Sequence, residues 1–482
     1  MNSITLSNEH DMFSKDTNII CTQANRLLDS LYPSYLVNTE NITELVECSS
    51  PELLDGFTYY RIASCSIEDT EDQIAFLNQK MEKLFTAIHS IGAPIAYGII
   101  SYDGVTNLVI GIYQKKDVDI VASIIGGLLS WVELINVKPN FMNKSVCPSY
   151  FGLLPAIPTT KIDDKPQTFD ISPIMRSLNG QNYTVLFIAK PMPSDVPTQK
   201  LNELLTIRDQ CFAVSKRNIS KQKNKTTTES HTEGHNGSTT YSDSTNKNRG
   251  LNILLWSRGK SKTEGKSETK GYSYDDSIST AISEGETISG DIQNGFALEL
   301  IDYAENGIER LKLGQSCGTW QTAITYSSDN IIARNIIEAC LKGEISKPNP
   351  KLLPAKPISI SQKNGQELLI PKGLLTDGIN ENPLCTLLTS AELALLCSLP
   401  VDSTPNFELK HRKQYPLITT YIDTDSIELG KLSDDDRVID NMPFVLSEAD
   451  LNKHTFVCGI TGSGKTTTVK GILKNCSKPF MV

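Results

Sequence analysis

Residues 459–466 read GITGSGKT, and no other stretch of this 482-residue chain restricts its local backbone so tightly. Glycines 459, 462 and 464, followed by lysine and threonine, call for a chain that curls through left-handed φ before entering a helix. The flanks agree. HTFVCG (454–459) reads as an apolar strand, and KTTTVKGILKNC (465–476) places Val469, Ile472 and Leu473 at helical spacing. At average residue usage a chain this long shows G-x-x-x-x-G-K-[ST] by accident about 2% of the time. The strand–loop–helix context lowers that further. An ordinary glycine-rich turn before a helix is the competing explanation, and the weaker one.

The chemistry of each position points to a bound triphosphate. A helix N-terminus offers unpaired N–H donors and a favourable dipole. Gly459, Gly462 and Gly464 let the main chain wrap a phosphate without Cβ clashes, so that Ile460, Thr461 and Ser463 contribute amides to the same nest. Lys465 reaches the outer phosphates, which makes it the candidate catalytic residue. Thr466 offers its hydroxyl to Mg²⁺, and Thr467 touches an inner phosphate.

The rest of the composition narrows the setting. A net charge of −10 argues against a generally basic nucleic-acid coat, although a local basic channel fits within it. Eleven cysteines are scattered with no C-x-x-C pair, so neither a zinc knuckle nor a disulfide framework is expected, and a reducing cytoplasm is. The N-terminus lacks a secretory signal pattern. The longest apolar run, IVASIIGGLLSWV (120–132), is too short to span a bilayer; it reads as a buried helix whose Gly126 and Gly127 admit a close neighbour. No membrane span is expected.

Hydrophobic periodicity divides the chain into a leader (1–56), an α/β module (57–150), a second α/β module (151–346), a linker with a helix and a β-rich segment (347–446), and the glycine-loop domain (447–482). In the first module TYYRIASCSI (58–67) is a strand, 71–91 a helix, and 94–113 a hairpin turning at Asp103-Gly104. In the second, YTVLFIAKP (183–191) is a buried strand, 195–216 and 295–314 are helices, 317–327 is a strand and 329–343 a helix. Between the two long helices, 217–290 is a polar, low-complexity insertion read as a disordered tip. PNPKLLPAKP marks the clearest linker. TSAELALLCSLP (389–400) opens a helix with the capping box Thr389-x-x-Glu392 and closes at Pro400. Strands follow at 415–422, 426–432 and 442–446. The fold class is α/β: α+β N-terminal modules, a small β-rich segment, then the start of a RecA-like P-loop domain.

LNKHTFVCGITGSGKTTTVKGIL (451–473), with Ile427-Glu428-Leu429-Gly430 upstream and Leu451 and His454 leading in, resembles the HerA–FtsK superfamily of hexameric P-loop translocases. The helix from Thr389 is similar to the one preceding the motor in these ATPases. The resemblance implies ATP and Mg²⁺ as cofactors, phosphate and metal roles for Lys465 and Thr466, and a homo-hexamer that pumps DNA. It also implies an acidic strand end and an arginine finger, which the quoted residues do not supply. The expectation is therefore the front of a longer ATPase, unable to hydrolyse nucleotide by itself. A conjugation- or secretion-type ATPase moving protein is the close alternative. A non-enzymatic module docking a partner protein through 1–345 is another.

Other candidates carry less. His454, entering a strand, reads as a hydrogen-bonded structural residue. His231 and His235 have ligand spacing but no third partner. Trp256 sits in an apolar island and reads as part of a local cluster. Asn236-Gly-Ser is a glycosylation sequon without meaning in a cytosolic chain.

Overall fold

The computed structural model describes residues 3–38, 42–48, 56–68, 73–113, 118–129, 131–137, 149–162, 165–232, 256–257, 277–361, 369–376, 378–412, 426–434, 437–447, 454–476 and 479. They belong to two compact units, Met1–Cys65 with Ile74–Leu409, and Ser66–Gln73 with Lys410–Val482. Helices and antiparallel strands are mixed throughout, and the chain is of the α/β class.

The larger unit begins with α1 (Ser3–Leu31), β1 (Val46–Cys48) and β2 (Phe57–Glu68). Then come α2 (Gln73–Ile91), the hairpin β3 (Ile95–Tyr102) and β4 (Val105–Tyr113), α3 (Val118–Leu128), β5 (Val132–Asn136), β6 (Tyr150–Leu153) and β7 (Tyr183–Met192). Helix α4 (Asp195–Ser215) leads into β8 (Lys216–Thr232), and β9 (Ser277–Gln293) leads into α5 (Gly295–Cys317). The unit continues through β10 (Thr319–Ser328), α6 (Ile331–Ile345), β11 (Ile358–Ser361), β12 (Leu369–Pro371), β13 (Thr386–Thr389) and α7 (Ser390–Leu396).

One antiparallel sheet organises this unit, in the order β11-β6-β10-β7-β3-β4-β2, with β13 added to β10 and β5 to β2. Its central strands β3, β7 and β10 are buried over nearly their whole length, because both faces are covered. On one face Phe57, Tyr59, Ile100 and Leu186 pack with Ile370 and Leu374. On another part of the sheet Phe85 of α2 meets the Trp320 ring edge-on at 6.2 Å. Leu84, Phe85 and Ile88 follow the expected helical spacing and are fully buried. Each contributes roughly 1.5–3 kcal/mol by leaving water.

The module boundary read at residue 150 falls inside this sheet. β3 pairs with β7 from Ile95↔Ala189 to Ser101↔Tyr183, so the two expected modules share one hydrogen-bonded layer. Local periodicity carries no information about such long-range pairing. The linker read at 348–357 is likewise anchored. Lys356 donates from its backbone N to Pro155 O at 3.2 Å and from Nζ to Ser34 O at 2.7 Å, and the Tyr35 hydroxyl donates to Pro354 O. It delivers β11 onto β6. Its prolines suppress helix and strand without making the segment a hinge.

The leader is integrated too. Leu27 and Leu31 of α1 are buried, and α1, α4 and α5 converge at Gly307. A Cβ there would lie 2.8 Å from both Leu31 Cδ1 and Leu204 Cδ1, so a larger residue would make both leucine side chains shift. The helix read over 120–132 is shorter, ending at Leu128, and is half-buried rather than buried. Val121 and Ile125 face the interior, while Ile120 is 51% exposed. Gly126 and Gly127 are exposed, and no described element comes near enough to touch a Cβ there.

The polar insertion enters and leaves as an ordered ribbon. β8 and β9 pair over seventeen residues each, Lys216↔Gln293 to Thr232↔Ser277, and Trp256 adds a short strand opposite Ile292. Asn294 N donates to Ser215 O at 2.8 Å where the ribbon joins the two helices. Main-chain hydrogen bonding, which needs no apolar side chains, replaces the expected disordered ends of this tract. Residues 233–255 and 258–276 lie outside the described residues, His235 and Asn236 among them. No described helix is long and apolar enough to cross a membrane.

The smaller unit contains the hairpin β14 (Ser426–Asp434) and β15 (Arg437–Ser447), then α8 (Lys465–Asn475). Within these elements Ile427, Val445 and Ile472 are buried, and Asn475 Nδ2 donates to Glu428 O at 2.9 Å, tying α8 to β14. The strand expected at 415–422 and Leu451 fall outside the described residues.

Candidate functional site

α8 starts abruptly because of the residues before it. Gly462 and Gly464 have φ of 86° and 83°, and Gly464 is the N-cap of the helix. A residue with a Cβ pays about 1–2 kcal/mol for that left-handed conformation. Ser463 N donates to Ile460 O at 3.2 Å, closing a tight turn that contains Gly462. Gly459 differs: a Cβ there would stand 2.4 Å from Ser463 Oγ, so the serine side chain would have to turn away.

The loop turns a row of donors outward. The first main-chain amide of α8 to find a helical partner is that of Thr468, which donates to Gly464 O at 2.9 Å. Those of Lys465, Thr466 and Thr467 have no partner among the described residues and lie at the positive end of the helix dipole. Lys465 folds back over the loop, with Nζ 2.9 Å from Gly459 O and 2.7 Å from Ile460 O. Its ammonium thus stands beside the same loop that presents the amides. Thr466 and Thr467 are exposed, as are Thr461 and Ser463.

The chain entering the loop differs from expectation. Residues 454–460 form no ladder among the described residues, and Phe456 is 87% exposed. A buried strand requires neighbours on its hydrogen-bonding edges, and no described strand lies there. His454 is exposed, not a structural residue inside a buried strand. Upstream, Ile427 of the Ile-Glu-Leu-Gly stretch is 1% exposed, and a bulge separates Glu428 from Gly430.

No family model matches this chain. Nor does any curated protein.

Sequence reasoning missed a cleft of about 280 Å³ in the larger unit. Asp29, Lys200, Gln321, Glu381 and Cys385 line it, and Lys200 Nζ pairs with Glu381 Oε2 at 2.8 Å. These residues come from distant segments that only the folded sheet and helices bring together. No local spacing marks them. Burial pushes the Cys385 thiol far above its ordinary range, although Lys190 opposes the shift, so this sulfur is a packing residue and not a nucleophile.

Proposed function

We propose that residues 459–467 bind the phosphates of ATP, and that the chain is part of a HerA/FtsK-like hexameric ATPase that translocates DNA. One observation carries the reading: the unpaired amides of Lys465, Thr466 and Thr467 sit one residue beyond a left-handed glycine, with the Lys465 ammonium held over the same loop. Convergent main-chain donors beside a cation suit a polyphosphate, whose charge is spread over many oxygens. Thr466, exposed in the first helical turn, supplies a hydroxyl suited to Mg²⁺. The bound metal would neutralise phosphate charge; the chain's own residues hold and orient the nucleotide.

Calorimetric titration with Mg·ATP tests the assignment. Binding is expected for the wild type and a loss of at least tenfold in affinity for Lys465→Ala. Wild-type protein with no affinity for any nucleoside triphosphate at millimolar concentration would sink it. Binding without DNA-stimulated turnover would instead favour a protein-moving ATPase or a partner-docking module that uses residues 1–345.

A further inference from the structure

The ribbon of β8 and β9 has a charge and register pattern with no role in nucleotide binding. Its strands span about 56 Å at ~3.3 Å per residue. Among the described residues the outer edge of β8 has no ladder partner, and that of β9 has one only at Ile292 and Asp291, opposite Trp256 and Ser257. A two-stranded ribbon is marginal by itself in water, and open edges are templates for further strands.

The two edges differ in sign. β8 contains Lys216, Arg217, Lys221, Lys223 and Lys225 against Glu229 alone. β9 contains Glu284, Glu286 and Asp291 and no base. The register sets Lys225 level with Glu284 and Lys223 level with Glu286. Copies placed side by side about an axis along the ribbon repeat those levels. The β8 edge of one copy then meets the β9 edge of the next with opposite charges at equal height. Pairing β8 with β8, or β9 with β9, would set like against like.

Alternation points the same way. Apart from Lys216 and Asp291 at the base, every charged residue falls on one set of alternate positions, together with Ile219, Ile278, Ile282, Ile288 and Ile292. The other set contains only Ser, Thr, Asn, Gln, Ala and Gly. Such two-sidedness suits a sheet whose faces meet different surroundings, as the inside and outside of a closed ring do.

We infer that this ribbon pairs with the ribbon of a second copy of the chain, basic edge to acidic edge, and that successive copies close an antiparallel barrel. A head-to-tail contact whose rotation closes generates a ring. It requires no nucleotide.

Light scattering after gel filtration of the full chain tests the inference. The wild type is expected to run as an assembly. Lys223→Glu with Lys225→Glu, and separately Glu284→Lys with Glu286→Lys, give both edges one sign and shift the protein to monomer. Mixing the two variants restores the assembly, because each acidic ribbon then lies between basic ones. Mixing cannot repair pairing within a chain, so the rescue reports contact between copies alone. Replacing 217–292 by a short glycine-containing turn between Ser215 and Asn294 or the adjoining residues gives a monomer with unchanged helical circular dichroism. A monomeric wild type, variants that assemble like it, failure of the mixture to recover, or an assembly that survives the replacement overturns the inference.

Discussion

Arg310 of α5 and Glu392 of α7 form a bidentate ion pair across 82 residues of sequence, with side chains only 11% and 6% exposed. Arg310 Nη2 donates to Glu392 Oε2 at 2.9 Å and to Leu387 O at 3.1 Å. The same carboxylate accepts from Thr389 N at 2.9 Å, completing the capping box of α7. One acidic side chain thus caps its own helix and neutralises a buried cation from another.

Removing one partner strands the other in a low-dielectric site. Glu392→Ala is expected to cost about 3–5 kcal/mol, read as a shift in urea midpoint with unchanged slope. Replacing both residues, Arg310→Met with Glu392→Leu, should cost less than either single change. A double variant as unstable as the sum of the singles would show that the charges are not acting as a pair.

Gly318 connects α5 to β10 at φ 97°, and a Cβ on it would lie 2.4 Å from His89 Cγ. Gly318→Ala should therefore destabilise the larger unit by more than about 2 kcal/mol, combining backbone strain with a displaced ring. Thermal unfolding followed by tryptophan fluorescence checks it, since His89 also packs against Trp320 at 5.3 Å. A melting temperature equal to that of the wild type would refute the expectation.

His89 should make stability depend on pH. Burial lowers its pKa below the ordinary value, with hydrogen bonding to the backbone of Thr319 and Met192 opposing. The unfolded chain therefore binds the proton first as pH falls below ~6.5. The stabilising contribution is complete above that pH and is lost as pH falls toward the lower folded-state value. Melting temperatures measured from pH 8 to 5 should drop less steeply for His89→Gln than for the wild type.

At the glycine loop the two left-handed positions separate conformation from contact. Neither Gly462 nor Gly464 has an atom within 4 Å of where a Cβ would stand. Gly464→Ala should leave the fold intact while weakening nucleotide binding roughly tenfold, the equivalent of ~1.4 kcal/mol of strain. Binding assays paired with circular dichroism distinguish that outcome from unfolding; unchanged affinity would contradict it.

Much of the local architecture was legible in the sequence. The Asp103-Gly104 turn appears with φ of 52° and 76°, the stripe from Leu77 to Ile88 is buried, and Thr389 caps α7 with Glu392 as the four-residue pattern indicates. Each depends on neighbours within one or two turns of chain. The glycine loop was legible for the same reason. The strand expected at 454–459 was not realised among the described residues, because apolar composition cannot furnish the partner strands that a ladder needs.

Sequence by itself determined where the backbone must bend and which residues enter helices. Tertiary structure alone decided that residues on both sides of position 150 share one sheet, that a proline-rich segment is anchored, and that Arg310 finds Glu392. The physical reason is range. Dihedral preference and hydrophobic period act over a few residues, whereas strand register and ion-pair burial are selected only when distant segments compete for the same interior.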